Sequence, residues 1–301
     1  MDRTNWRKIT FFCFDTVNTI TVWSGSEAAL AQAREMCFYY QSIFSRFAPG
    51  SDIWRLNHSR GEAMRVAPET VEIISMSVAY SALTAGAFDI TMGALCEMWG
   101  FGRSPAVPRS ELLIEALGKT GSGGIRVEGN TVRCAAGAIL DLGGIAKGYA
   151  ADKIADMLTA AGAVCGIINC GGDVLTFGAK PDGSPWRVGL QDPGQPRGRY
   201  SRIAVTRGRK AVATSGVYER RFTDRSGQSF HHILDPRTGR PAAKGLVAAS
   251  VIHPCGALAE ALATACICLG AAEAQKLIAG QDAAAYLISA DGSCLKTGNM
   301  L

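Results

Sequence analysis

A carboxylate, a glycine pair and a lysine lie close together in the middle of the chain. The segment DLGGIAK (residues 141–147) contains them all, and an apolar-periodic stretch typical of a helix follows it. Glycine lets another group approach the backbone closely. A lysine near a helix start adds positive charge where free N–H groups already favour an anion. The segment therefore predicts a site for a phosphorylated ligand, although it matches neither GxxxxGK[ST] nor GxGxxG.

Glu260 and Thr264 offer oxygen ligands from a second predicted helix, over residues 257–269. They are four positions apart and therefore share one helix face. A carboxylate and a hydroxyl are hard ligands of the kind that Mg²⁺ prefers while it keeps several waters. Taken alone, such a pair is more often an ordinary polar face.

Two adjacent histidines, His231 and His232, precede a turn that begins at Asp235-Pro236. Successive side chains of a strand point to opposite faces, so at most one of the two faces a given site. A histidine there can act as a general base near neutral pH. For a lone histidine, a satisfied and half-exposed structural residue is the more common explanation.

Two further glycine turns carry a carboxylate. The segment GAFD (residues 86–89) follows a predicted helix, and NCGGD (residues 169–173) follows an apolar strand. Each turn can bring backbone against a ligand or simply reverse the chain with an Asx-type turn. The segments alone leave both readings open.

Composition excludes several classes of protein. The chain has 301 residues, 48% of them hydrophobic and 19% charged, which is ordinary for a folded protein with a sizeable core. The net charge of +5 comes without a long Lys/Arg run, which disfavours a nucleic-acid groove. The ten cysteines form no CxxC and no Cys/His cluster with zinc spacing. Most of them are expected to be small buried side chains in a reducing compartment.

The first residues show no apolar core followed by a small-residue cleavage site, so no secretory leader is visible. No apolar run reaches the ~18 residues that span a bilayer. We expect a cytoplasmic protein without a transmembrane segment, although a form trimmed of its leader would look the same.

The predicted elements alternate without a regular βαβ repeat. This favours an α+β fold of largely antiparallel sheets flanked by helices. We expect one domain over residues 1–301, or two intimately joined lobes, because no composition shift marks a boundary. Helices are predicted at 26–44, 68–84, 110–118, 149–161 and 257–269. Residues 9–23 are predicted to form a strand or hairpin, and residues 167–174 a strand followed by a glycine turn. Strands are also predicted at 131–140, 187–190, 201–205, 210–213, 247–252 and 284–289, the last being the final strand.

Five motifs occur in one order along the chain: DLGGIAKGYAAD, NCGGDV, ATSGVYERRF, HHILDPRTGRP and EALAT. In this order they resemble the ApbE family, the FAD:protein FMN transferases, and the resemblance runs from Phe14 to the last predicted strand. It implies a Mg²⁺-dependent enzyme that binds FAD. Such an enzyme moves FMN onto a Thr or Ser hydroxyl of a client protein and releases AMP.

The resemblance also implies roles for individual residues. The flavin-nucleotide contacts would be Phe14, Ala87, Phe88, Asp89, Asp141, Lys147 and Ile233. The metal would be held by the backbone oxygen of Gly144, by Glu260 and by Thr264, and His232 would take the proton of the client hydroxyl. Two positions depart from the family pattern: Phe14 replaces the usual Met, and Glu260 replaces the usual Asp with one more methylene.

Two other functions remain open at this stage. A Mg²⁺-dependent FAD pyrophosphatase would use the same site with water in place of the hydroxyl, and Asn57 lies where the choice between the two would be set. A non-catalytic protein would bind or deliver FAD and leave it intact. A nicotinamide dehydrogenase is disfavoured, because no strand–GxGxxG–helix unit is present.

Overall fold

Antiparallel strands form the centre of the structure. The computed structural model describes residues 5–101, 103–195 and 198–298, so both ends of the predicted 1–301 unit lie outside the described residues. In chain order the strands are β1 (Trp6–Cys13), β2 (Thr16–Trp23), β3 (Met64–Arg65), β4 (Arg126–Glu128), β5 (Thr131–Arg133), β6 (Cys165–Cys170), β7 (Asp173–Phe177), β8 (Trp186–Gln191), β9 (Tyr200–Thr206), β10 (Lys210–Gly216), β11 (Arg221–Thr223), β12 (Ser229–His231), β13 (Leu234–Asp235), β14 (Arg240–Pro241), β15 (Leu246–His253), β16 (Ala284–Ser289) and β17 (Cys294–Thr297). The helices are α1 (Glu27–Phe44), α2 (Asp52–Asn57), α3 (Pro68–Leu83), α4 (Gly93–Trp99), α5 (Ser110–Leu117), α6 (Ala146–Ala160), α7 (Gly256–Leu269) and α8 (Ala271–Ala279).

Eight of the strands build one sheet in the order β1-β2-β6-β7-β10-β15-β16-β17, and each neighbouring pair is antiparallel. Mixed helices and antiparallel sheet confirm the predicted α+β class. The prediction of a single domain over the whole chain stays a prediction.

The two faces of the sheet are covered differently. Helices α1, α6 and α7 pack on one face and enclose the larger apolar cluster with it. The β8–β9 ribbon covers part of the other face, where Val188, Leu190 and Ala204 pack against strand residues such as Val212 and Tyr286. The site residues predicted from the sequence lie on the face of the sheet that the helices cover, in those helices and in the loops and turns next to them.

Helix α7 is the most enclosed of the helices. Eleven of its 14 residues are buried, as expected for a helix that is apolar nearly all round. Glu260 is the one charged residue among those buried, at 4% exposure. A buried carboxylate needs partners, because an isolated charge in the interior is very costly.

No helix in the described ranges is long and apolar enough to cross a bilayer.

Helices α6 and α7 touch through their backbones at a glycine pair. A Cβ added to Gly148 would overlap the carbonyl oxygen of Gly256, and one added to Gly256 would lie 2.8 Å from the oxygen of Gly148. Only a residue without a side chain fits at either position. The close crossing brings the first turn of α6 against the buried face of α7, and therefore Lys147 against Glu260.

Three of the predicted elements differ from the structure. Residues 131–140 are not a strand throughout: Thr131–Arg133 pair in a small sheet with β3 and β4, and the rest is a loop in which Ile139 forms an isolated bridge with Met92. The strand predicted as the last is followed by β17, which pairs with it. The helix predicted from residue 149 begins at Ala146, which places Lys147 in its first turn.

We predict that Gly148→Ala destabilises the fold by about 3 kcal/mol, because its methyl group collides with backbone that cannot move aside. Gly280→Ala is the matched control: its Cβ meets no atom closer than 3.6 Å, so its free energy of unfolding should change by less than about 1 kcal/mol. Urea denaturation of both variants measures the difference. Equal stabilities would show that the crossing tolerates a side chain.

Candidate active site

Lys147, Glu260 and Asp173 form a partly buried ion cluster between α6, α7 and the start of β7, and Glu260 is its buried member. The ammonium of Lys147 contacts Glu260 Oε1 and lies 3.3 Å from Asp173 Oδ2. The other oxygen of Glu260 accepts the backbone N–H of Gly148 at 2.8 Å. Both oxygens of the buried carboxylate therefore have partners, as its burial requires.

The cluster holds two carboxylates and one ammonium. Burial opposes the charge of Lys147, but Glu260 and Asp173 outweigh it and raise the pKa of the amine. Burial raises the pKa of Glu260, and the charge of Asp173 adds to this effect, while Lys147 opposes it. With all three groups ionised, the cluster is one positive charge short of neutrality. An added cation is therefore electrostatically favoured there.

Hydroxyl oxygens lie one helical turn from the carboxylate. Thr264 Oγ1 is 3.1 Å from Ser215 Oγ, at the end of β10. A Cβ built at Gly144 would lie 3.4 Å from the ring of Phe88 and 3.7 Å from Thr264 Oγ1, so these three residues meet at one place. Hard oxygens beside excess negative charge fit Mg²⁺, which takes few protein ligands and keeps waters or phosphate oxygens. No group of three or more His, Cys, Asp or Glu residues in the described ranges is arranged to hold a metal.

Asp141 is fixed from several sides. Its Oδ1 accepts the N–H of Gly143 at 2.8 Å, and its Oδ2 lies 2.9 Å from Arg46 Nε, a cation that the sequence analysis missed. The Asn57 amide bonds to both the N–H and the C=O of Leu140, at 2.7 and 3.0 Å, and so holds the residue before Asp141. The carbonyl of Gly143 also accepts from Lys147 Nζ at 3.5 Å and links the two ends of the motif.

The loop that carries Ala87, Phe88 and Asp89 leaves the end of α3. The Asp89 carboxylate accepts the N–H and the hydroxyl of Thr91, both at 2.7 Å, and the N–H of Ser122 at 2.9 Å. It therefore organises the loop that places Phe88 beside Gly144. Ala87 and Phe88 are buried at 1% and 3% exposure. A direct nucleotide contact of Ala87, Phe88 and Asp89 stays a prediction.

Phe14 lies in the two-residue turn between β1 and β2. Phe14 and Asp15 have φ values of 54° and 57°, a left-handed pair that suits a tight hairpin but is strained without glycine. Gln41 of α1 supports the turn, since its Oε1 accepts the Phe14 N–H at 2.6 Å. Asp15 lies 3.3 Å from Arg220, which ties the turn to the chain around His232.

The structure distinguishes the two histidines. His231 Nε2 lies 3.0 Å from the carbonyl oxygen of Ala242, so this ring is engaged by the backbone. The Nδ1 of both rings is buried without a hydrogen-bond partner in the described parts of the chain, so the Nε2 contact of His231 is what separates them. Burial lowers the pKa of His232 to about 4, and the charges of Arg220 and Lys147 contribute. His232 is thus a neutral imidazole at pH 7, in reach of the charge of Lys147, and is followed by the buried Ile233.

Comparisons with known proteins point to one family. A sequence model of the ApbE family matches residues 14–288. A protein of Vibrio cholerae named FAD:protein FMN transferase is 33% identical over 231 residues, which cover 75% of this chain and 69% of that protein. One of the same name from Klebsiella pneumoniae is 30% identical over 281 residues, covering 90% and 80%.

Solved structures agree with the sequence comparisons. The ApbE protein of Thermotoga maritima superposes with a TM-score of 0.89 at 31% identity and covers 97% of both chains. The apo form of the flavinyl transferase ApbE of Pseudomonas stutzeri superposes with a TM-score of 0.88 at 29% identity, covering 99% of this chain and 96% of that one.

The lowered pKa of His232 gives a pH dependence of stability. Because the folded value of about 4 lies below the ordinary 6.5, His232 stabilises the fold fully above pH 6.5. This contribution is lost as the pH falls towards 4. We expect urea denaturation of His232→Gln to show a smaller loss of unfolding free energy between pH 7 and 4.5 than the unchanged protein. His58→Gln, at an exposed histidine, is the control for removal of a histidine as such. Identical slopes for all three proteins would contradict the burial of an uncharged His232.

Proposed function

Because the chain belongs to the ApbE family, we propose that it moves FMN from FAD onto a Thr or Ser hydroxyl of a client protein and releases AMP, with Mg²⁺ at the Lys147–Glu260 site. The relatives share the name FAD:protein FMN transferase, which makes this chain a transferase that uses FAD. The metal, the acceptor hydroxyl and the departing AMP are our proposal.

One observation carries the proposal: the meeting of Lys147, Glu260 and Thr264, which come from helices far apart in sequence. Glu260, Thr264 and the backbone oxygen of Gly144 would hold the cation. When bound, a divalent cation supplies charge neutralisation for the diphosphate and for the departing phosphate. The presence of two carboxylates beside a single ammonium in the cluster supports this assignment.

The protein groups then have separate tasks. Lys147 adds a second positive charge beside the diphosphate. The client oxygen forms a bond to the phosphorus of the FMN half, and the bond from that phosphorus to the bridging oxygen breaks, so AMP leaves with the bridging oxygen. The hydroxyl proton passes to the lone pair of neutral His232. The flavin nucleotide would be surrounded by Phe14, Ala87, Phe88, Asp89, Asp141 and Ile233.

The predicted cytoplasmic location stays a prediction.

We predict that a candidate acceptor domain, co-expressed with this protein, gains the mass of FMN less one water on a single Thr or Ser. Purified components with FAD and Mg²⁺ should release AMP in equal amount, and EDTA should stop both. Intact-mass measurement and chromatography of AMP report the two products. His232→Ala should bind FAD but transfer FMN about 10²- to 10⁴-fold more slowly.

The matched control is His231→Gln, in which the neighbouring histidine is removed and most of the transfer rate is expected to remain. AMP release that needs no acceptor and leaves every client unmodified would favour the FAD pyrophosphatase instead. FAD that stays intact with Mg²⁺ and all acceptors would leave only a binding or delivery role. Transfer at the original rate by His232→Ala would remove the base from the mechanism.

A further inference from the structure

Lys147 has a second carboxylate partner that the proposed reaction does not use. Asp173 is the first residue of β7 and follows the Gly171–Gly172 turn, whose φ values are 65° and 109°. Its Oδ2 lies 3.3 Å from Lys147 Nζ, and its side chain is only 16% exposed. The sequence analysis treated this segment as a glycine turn and gave Asp173 no role.

The other oxygen of Asp173 fixes the carboxylate in place. Oδ1 accepts the backbone N–H of Thr214 in β10 at 3.0 Å. Thr214 directly precedes Ser215, whose hydroxyl lies 3.1 Å from that of Thr264. One carboxylate thus joins Lys147 of α6 to the strand that contacts the proposed metal ligand of α7.

The two partners of Lys147 differ in what a cation does to them. A carboxylate that binds a divalent cation loses much of its attraction for a neighbouring ammonium, since both positive charges compete for the same oxygens. Glu260 is the proposed metal ligand, so its ion pair with Lys147 weakens when the metal is present. Asp173 is not among the proposed metal ligands, and its bond to the N–H of Thr214 does not involve Glu260.

We propose that Asp173 is the positioning residue of Lys147: it holds the ammonium at the diphosphate when the metal engages Glu260, and it acts on the reaction only through Lys147. This inference rests on the proposed function. A positioning role can be distinguished from a structural role in the turn. Loss of the Asp173 charge should lower the rate of the reaction and leave FAD binding intact.

The first test is Asp173→Asn, which keeps the shape and the acceptor for Thr214 but removes the charge. We expect the kcat of AMP release from FAD, measured with Mg²⁺ and the acceptor domain present, to fall about 10- to 100-fold, as for a misplaced catalytic group. The Kd for FAD, measured by flavin fluorescence, should stay equal or become lower, because a negative charge has left the neighbourhood of an anion. Asp173→Glu should restore part of the rate.

A double variant separates positioning from an independent role. If Asp173 acts through Lys147, Lys147→Gln/Asp173→Asn should react within about threefold of Lys147→Gln alone. Independent roles would multiply the two losses. Asn169→Ala is the matched control for the turn, since its side chain accepts the N–H of Gly172 at 2.9 Å without touching Lys147. Its kcat should change little.

A readout without turnover completes the test. An amine-reactive ester, followed by peptide mass analysis, measures the access to Lys147 in the presence of Mg²⁺ and without FAD. Labelling of Lys147 should increase in Asp173→Asn and stay low in the unchanged protein and in Asn169→Ala. Equal labelling, an unchanged kcat in Asp173→Asn, or losses that multiply would each overturn the inference. Absence of AMP release by the unchanged protein in the presence of the acceptor would instead refute the proposed function, and the labelling result would still decide whether Asp173 holds Lys147.

Discussion

The backbone contact between α6 and α7 at Gly148 and Gly256 is the constraint on which the site depends. At this distance a carboxylate of each helix accepts backbone N–H groups at the start of the other. Glu260 of α7 accepts the N–H of Gly148, and Asp152 of α6 accepts those of Gly256 and Ala257 at 2.9 and 3.0 Å. The exchange satisfies backbone donors that have no partner within their own helix. It also sets the separation of Lys147 from the buried face of α7.

Charge in the candidate site is distributed unevenly, and the distribution suits a ligand that arrives with a cation. With its three groups ionised, the cluster around Lys147 has an excess of negative charge, whereas His232 is held uncharged by burial and by the charges of Arg220 and Lys147. A diphosphate alone would meet repulsion from Glu260 and Asp173. Together with a divalent ion, it would meet a complementary surface.

Much of the site could be predicted from the sequence, because its motifs are local. The 141–147 segment and the 260/264 pair follow from glycine placement and helical spacing, and the structure brings Gly144 and Thr264 together. Arg46 and the pairing of Asp173 with Lys147 could not be predicted, since no periodicity marks a contact between distant segments. The strand assigned to 131–140 failed because side-chain bonds from Asn57, rather than a ladder, satisfy the backbone of Leu140. The order of the eight strands in the sheet could not be predicted from the sequence either.

The strand order also has a consequence for how the protein is made. Strand β2 ends at Trp23, yet its partner β6 begins at Cys165, and Thr264 belongs to a helix still further along. During synthesis the β1–β2 hairpin leaves the ribosome long before β6 is made. The apolar side chains of the hairpin therefore stay exposed to solvent during that time. A nascent or prematurely ended chain lacking α7 has no Glu260 and no Thr264. The candidate site can therefore form only after α7 has been synthesised.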